Sequence, residues 1–451
     1  MSLWFYAYAN LQYLWLLLFS CLIGWLLSCL PEKIFSEKGK KVLTGVGCVF
    51  HLGLLGYFKY SNFFLENLNT VFHTDFPMLQ ILLPVGISFY TFQQLAYLID
   101  RCRGDAPRDS FFDYLTFMVY FPQLLQGPIL LRSEFMGQLK EPERRRFHAE
   151  RFSEGIQFFV FGLAKKVLLA DTLAKAVNYG YSNVSMLDSI SALLLSVGYL
   201  TELYFDFSGY CDMAVGLGKM IGLEVAENFD APFHSASVKE FWRRWHMTLG
   251  RFFTRYVYIP LGGNRRGKMR TLCNVMIVML LSGLWHGAAW TFVLWGFLHG
   301  VGMIWDNLEH PHLPKKWMRQ AATFAYVCMT FVFFRAESIA QGIDVLKSIV
   351  SLKWNGFVFQ MASALDMTEC YMITKALSMK LPGLLSWFWL GIFVVLIAIC
   401  FRVLSGEKVS GVVALQRQKG YGRLYPVLLA VLFTWSMISM TGVSEHLYFS
   451  F

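Results

Sequence analysis

Long apolar runs alternate with short charged loops along most of the chain. A helix of about 20 apolar residues crosses the roughly 30 Å hydrocarbon core of a bilayer. That measure predicts about ten spans: Leu11–Leu30, Val42–Tyr60, Pro77–Ile99, Phe152–Ala170, Ile190–Phe207, Thr271–Trp290, Thr291–Asp306, Arg319–Arg335, Leu384–Leu404 and Leu424–Met440. One apolar stretch does not fit. Phe111–Leu131 is broken by Pro122, Gly127 and Pro128 and carries polar Gln123 and Gln126. Basic loops flank it on both sides, so it reads as re-entrant or interfacial. Irregular backbone at membrane depth must be buried in protein or line a cavity, which places it beside a tunnel. Ile339–Leu352 reads as an amphipathic surface helix.

The loops set an orientation. Met1–Asn10 has no Lys or Arg, so Leu11–Leu30 is expected to be a retained span and not a signal peptide. Pro31–Lys41 carries Lys33, Lys38, Lys40 and Lys41, which makes it cytoplasmic and the N-terminus external. Ser61–Asp75 has no Lys or Arg, as an external loop should. Arg101, Arg103 and Arg108 mark a cytoplasmic loop, as do Lys408, Arg417, Lys419 and Arg423. The composition agrees with the pattern. The 451 residues are 56% hydrophobic and 16% charged, against roughly 25% charged in soluble domains. Mean hydropathy is +0.45. The expected fold class is an all-α polytopic membrane protein, one domain over residues 1–451, with helices and re-entrant segments around a central funnel or tunnel.

The net charge of +10 is concentrated. Ser235–Arg270 holds nine basic residues (Lys239, Arg243, Arg244, Arg251, Arg255, Arg265, Arg266, Lys268, Arg270) against one acid, Glu240. This is either an ordinary cytoplasmic loop or an anion site. No nucleic-acid motif accompanies it, so nucleic acid is set aside. The nine cysteines have no ligand spacing, so they read as small buried hydrophobes, and no metal site is expected.

The chemistry centres on Leu281–Gly300, LSGLWHGAAWTFVLWGFLHG, where His286 lies in an apolar run. An ionisable group at that depth usually faces a packed interior or a wet cavity. Ser282, Gly283, Gly287, Ala288 and Ala289 would let other backbones or a ligand approach. His286 is therefore either a catalytic base or the donor of a helix–helix hydrogen bond; His299 is read as structural. In Asn228–Gly267, Phe241, Trp242 and Trp245 alternate with Arg243, Arg244 and His246. Such a pattern suits a membrane interface, or a site that stacks on an adenine and pairs with phosphates. Asp206 and Asp212, expected near a span end, mark a structured site. No HExxH, GxSxG or GxxxxGK[ST] pattern occurs.

Phe241–Gly267 and Leu281–Gly300 closely resemble the membrane-bound O-acyltransferase family, in the bacterial branch serving alginate O-acetylation and, more distantly, teichoic-acid D-alanylation. The resemblance extends through Leu83–Phe89, Tyr120–Gln123 with Gly127-Pro128, Gly162–Lys166, Tyr204–Tyr210, Glu227–Phe229 and the tail Tyr448-Phe449. It implies packed membrane helices around a funnel, His286 at the family's catalytic histidine, and His246 at the second polar position, commonly an asparagine elsewhere. Family members of this branch usually carry a further hydrophobic segment ahead of the stretch matching Ser2–Ser20.

The expected reaction is acyl transfer from a thioester to a hydroxyl. A neutral His286 takes the hydroxyl proton, which is worth roughly 10²–10⁴-fold. His246 either orients His286 or hydrogen-bonds the thioester carbonyl. Arg243, Arg244, Arg251 and Trp245 are the residues expected to hold the donor, acetyl-CoA. The other expected partners are membrane lipid, a polysaccharide acceptor and a periplasmic or extracellular acetyltransferase. The expected location is the bacterial inner membrane. The alternatives are D-alanyl transfer from a carrier-protein thioester and a membrane carrier or flippase.

Overall fold

The computed structural model describes residues 2–29, 36–308, 314–404, 408–419, 422 and 424–440. Tyr448-Phe449, Lys33 and Arg423 lie outside the described residues. No strand occurs among the described residues. Five helices there are long and apolar enough to cross a membrane: Leu11–Cys29, Glu37–Phe72, Ser189–Met220, Lys268–His286 and Pro382–Phe401. The protein is an all-α polytopic membrane protein. The other expected spans are also helical but shorter or more polar: Ile87–Arg103, Ala149–Ala164, Trp290–Asn307, Lys316–Arg335 and Leu424–Ser439.

Ser189–Met220 is the central helix. Its most apolar window is 78% buried, whereas the other four windows are between 17% and 39% buried. Those four present apolar side chains outward, as lipid contact requires. The 32 residues reach about 48 Å, beyond the hydrocarbon core. Asp188 caps its start by accepting from the Ser191 amide at 2.8 Å.

Ala149–Ala164 packs against this helix through two pairs of glycines. A Cβ on Gly155 would meet the Gly216 carbonyl oxygen at 2.6 Å, and one on Gly162 would meet that of Gly209 at 2.5 Å. Small residues at both contacts let the backbones touch. The same packing explains the two aspartates, which are not near a span end. Asp206 and Asp212 lie well inside the central helix. After Ala164 the chain turns through a π-helical segment, Lys165–Ala170. There Lys165 reaches Asp212 at 2.6 Å and Lys166 reaches Asp206 at 2.5 Å. Charges at membrane depth persist when paired, and these pairs staple the two helices together.

Three other expectations are corrected. The span expected over Pro77–Ile99 is helical only from Ile87, because residues 74–84 are not helical. Pro77 and Pro84 break the pattern, and Gly86 takes a left-handed conformation (φ 74°) ahead of Ile87. The helix expected to continue to Trp290 ends at His286, and a new one starts at Trp290. Ile339–Val350 is a helix, but Gly342 and Val345 are buried, with Val345 packed in the main apolar core.

Candidate active site

His286 is the last residue of Lys268–His286, and the chain leaves it through Gly287 in extended conformation (φ −159°, ψ 150°). The antiparallel helix Trp290–Asn307 packs back closely, because a Cβ at Gly296 would meet the Met279 carbonyl oxygen at 2.5 Å. Gly283 and Gly296 therefore serve helix approach, since a Cβ at Gly283 would likewise meet the Phe292 carbonyl oxygen. His286 is 6% exposed. It lies in an aromatic box, with ring centroids of Trp285 at 4.9 Å, Trp295 at 5.2 Å and Phe334 at 5.2 Å.

His246 reaches the same place from the other side. It connects two short helices, Val238–Arg244 and Met247–Phe253, in a left-handed conformation (φ 46°) that side chains adopt at a cost. It is 1% exposed, and its ring centroid stands 6.3 Å from that of His286. Asn228 holds it, with Oδ1 3.3 Å from His246 Nδ1. The same oxygen accepts from the Thr248 amide at 3.1 Å and the Thr248 hydroxyl at 2.9 Å. An oxygen that accepts from a backbone N–H is the amide's carbonyl, so Nδ1 of His246 must donate to it. Nε2 is then the ring's acceptor, and no described residue hydrogen-bonds it.

Two cavities lie near the histidines, one lined by His286 and the other by residues adjacent to the pair. The larger, about 460 Å³, is lined by Lys239, Trp242, Arg243, Met247, Arg251 and Ser282, among others. Ser282 lies one helical turn before His286, on the same helix face. The smaller, about 90 Å³, is lined by His286 and Trp285, by Lys59, by the segment Leu83–Phe89, and by Leu125 of the broken apolar stretch. The expectation that this stretch stands beside a cavity is met at Leu125.

The four expected donor-binding residues separate. Arg243 lines the large cavity, is exposed, and forms no ion pair with any described residue. Arg251 lines it too, but is ion-paired with Glu134 and donates to the Ile129 carbonyl at 3.1 Å. Arg244 does not line it; it pairs with Glu240 at 2.9 Å. Trp245 is 3% exposed and sits in an aromatic cluster with Phe229 and Phe241 at 5.1 and 5.4 Å, with no face open to an adenine. Trp242 is the tryptophan at the cavity, and its Nε1 donates to His299 Nδ1 at 3.2 Å. His299 is wholly buried and also contacts the Thr330 hydroxyl at 2.9 Å, which agrees with a structural role.

Two residues escaped the sequence reading. Lys59 donates to the carbonyls of Trp285 and His286 at 2.7 and 3.0 Å. Tyr60 donates to that of Leu284 at 2.6 Å. A lysine near the end of an apolar run was the available signal.

A model of MBOAT, the membrane-bound O-acyltransferase family, matches residues 108–341, more than half of the chain. The chain belongs to the membrane-bound O-acyltransferase family. It is therefore an O-acyltransferase by family, and both histidines fall inside the matched region. It is 36% identical over 383 residues to a peptidoglycan O-acetyltransferase of Helicobacter pylori, covering 78% of this chain and 72% of that one. It is 41% identical over 309 residues to a probable alginate O-acetylase AlgI of Pseudomonas putida, covering 66% of this chain and 62% of that one. A teichoic acid D-alanyltransferase of Bacillus subtilis is 28% identical over 271 residues, covering 56% of this chain and 69% of that one. The chain thus spans somewhat under two thirds of the alginate relative.

Proposed function

We propose that this membrane-bound O-acyltransferase moves an acetyl group from acetyl-CoA on the cytoplasmic side to a hydroxyl on the opposite side. The final acceptor is a polysaccharide, reached directly or through a partner acetyltransferase, and the membrane is the bacterial inner membrane. The observation that carries this reading is the pair of buried histidines, rings 6.3 Å apart, with His286 lining the small chamber and a basic-rimmed cavity reaching their neighbours Met247 and Ser282.

Neutral His286 takes the proton of the attacking hydroxyl as its oxygen bonds to the thioester carbon. The C–S bond then breaks, and the thiolate leaves with a proton returned from the imidazolium. His246 supports the step as an acceptor. Its Nδ1 proton is committed to Asn228, so a neutral His246 has no N–H for the thioester carbonyl. It suits a positioning role beside His286, the two ring centroids being 6.3 Å apart. Arg243 is the residue best placed for donor phosphates, and the large cavity suits the acyl-bearing arm of the donor.

The identities of the relatives favour acetyl over D-alanyl, since the two acetylating relatives are 36% and 41% identical and the D-alanylating one 28%. Family membership favours a transferase over a carrier. The test is purified protein in liposomes with labelled acetyl-CoA, polysaccharide and candidate partners outside. Label passing to a hydroxyl ester is the expected result. Turnover only with a D-alanyl carrier thioester, or transport without thioester cleavage, contradicts the reading.

A further inference from the structure

Lys59 sits in an unusual place for a lysine. It belongs to Glu37–Phe72, a helix apolar enough to cross a membrane, where a charge is costly without a function. Midway, the helix loosens into a π-helical segment, Gly56–Tyr60. Such segments change which face a residue occupies and recur at functional sites. Here the change brings Lys59 and Tyr60 onto the end of the helix that carries His286.

That helix end needs partners. The last carbonyls of a helix have no intrahelical donors, and the chain beyond His286 turns away extended. Tyr60 takes the Leu284 carbonyl, and the Lys59 ammonium takes those of Trp285 and His286. The helical continuation, Ser61–Phe72, grips the far side of the turn, where the Trp290 indole donates to Asn67 at 2.8 Å and the Phe63 and Trp290 rings lie 5.7 Å apart. The residues that fix His286 are thus more than 220 positions away in sequence. Lys59 also lines the small chamber together with His286, and no described carboxylate pairs with it. A helix cap alone needs no charge at membrane depth, since a hydroxyl such as that of Tyr60 serves.

We propose that Lys59 is a positioning residue for acyl transfer, clamping the backbone of His286 so that its imidazole meets the acceptor hydroxyl in the small chamber. The proposal rests on His286 being the base. A misplacement of about 1 Å in a reacting group costs on the order of 100-fold in rate. Lys59→Met keeps the length of the side chain and removes the donor and charge. Lys59→Arg keeps both.

The experiment measures kcat and the donor KM of wild type, Lys59→Met, Lys59→Arg and His286→Ala, each purified and matched for membrane insertion and thermal midpoint. The expected result is a kcat about 10- to 100-fold lower for Lys59→Met, a donor KM within about 2-fold of wild type, and recovery of most of the rate in Lys59→Arg. Unchanged kcat in Lys59→Met, or loss of folded protein in Lys59→Met with full activity per folded molecule, overturns the proposal. So does Lys59→Arg as slow as Lys59→Met. If His286→Ala itself turns over at the wild-type rate, the reading of His286 fails, whatever Lys59 does. If His286→Ala is inactive and Lys59→Met is not, only the proposal for Lys59 fails.

Discussion

His246 shows how much one residue can be made to bear. It is fully packed, takes a backbone conformation unfavourable for a side chain, and still directs an acceptor nitrogen into the protein interior. Such strain persists only where neighbours over-determine it. Asn228 is the chief of these, because its one carboxamide oxygen serves His246 and both donors of Thr248. Thr248 in turn accepts from the Ile129 amide at 3.0 Å, which ties the broken stretch to the site. Asn228→Ala is expected to lower kcat about 10- to 100-fold with little change in donor KM, as loss of an orienting group does. Steady-state kinetics on the folded variant check it; an unchanged kcat contradicts the role given to Asn228. The arginines separate at this scale as well. Arg243→Ala is expected to raise the donor KM about 10-fold, the equivalent of one charged hydrogen bond. Arg251→Ala, by releasing Glu134, is expected to act mainly on stability. Comparing donor KM with thermal midpoint for both variants decides whether that division is right.

Elements rather than residues explain where the buried charges sit. Each of three π-helical segments among the described residues delivers basic side chains to a distant partner. Gly56–Tyr60 sends Lys59 to helix carbonyls, Lys165–Ala170 sends Lys165 and Lys166 to the central helix, and Thr254–Tyr258 sends Arg255 to Asp100 at 3.0 Å. A regular helix would carry these residues round to another face. The pairing of the Lys165–Lys166 turn also depends on the glycine contacts beside it. Gly162→Leu is expected to force apart Ala149–Ala164 and Ser189–Met220 and to destabilise the protein by about 1–3 kcal/mol or more. A thermal midpoint lowered by several degrees in detergent is the expected readout, and an unchanged midpoint contradicts so close a packing.

For the whole molecule, the amount that could be read from sequence follows from what leaves a local trace. Apolar run length gave the helices, because crossing a bilayer fixes that length. The broken stretch Phe111–Leu131 could be placed beside a cavity because Pro122 and Pro128 forbid a plain helix there. His286 and His246 stand out in the sequence through their motifs, and the structure brings their rings within 6.3 Å. Lys59 and the partners of Asp206 and Asp212 were not, because a π-helical turn has no sequence period and joins residues far apart. Trp245 and Arg244 were misread for a related reason. Alternating aromatics and arginines show that a helix is amphipathic, but only the packing shows that Trp242 and Arg243 are the ones facing the cavity.

The central claim is that His286 is the base for acyl transfer. Purified His286→Ala, inserted normally and with a wild-type thermal midpoint, should transfer labelled acetyl from acetyl-CoA at least about 100-fold more slowly than wild type, within the range general-base catalysis supplies. Transfer at the wild-type rate would contradict the account.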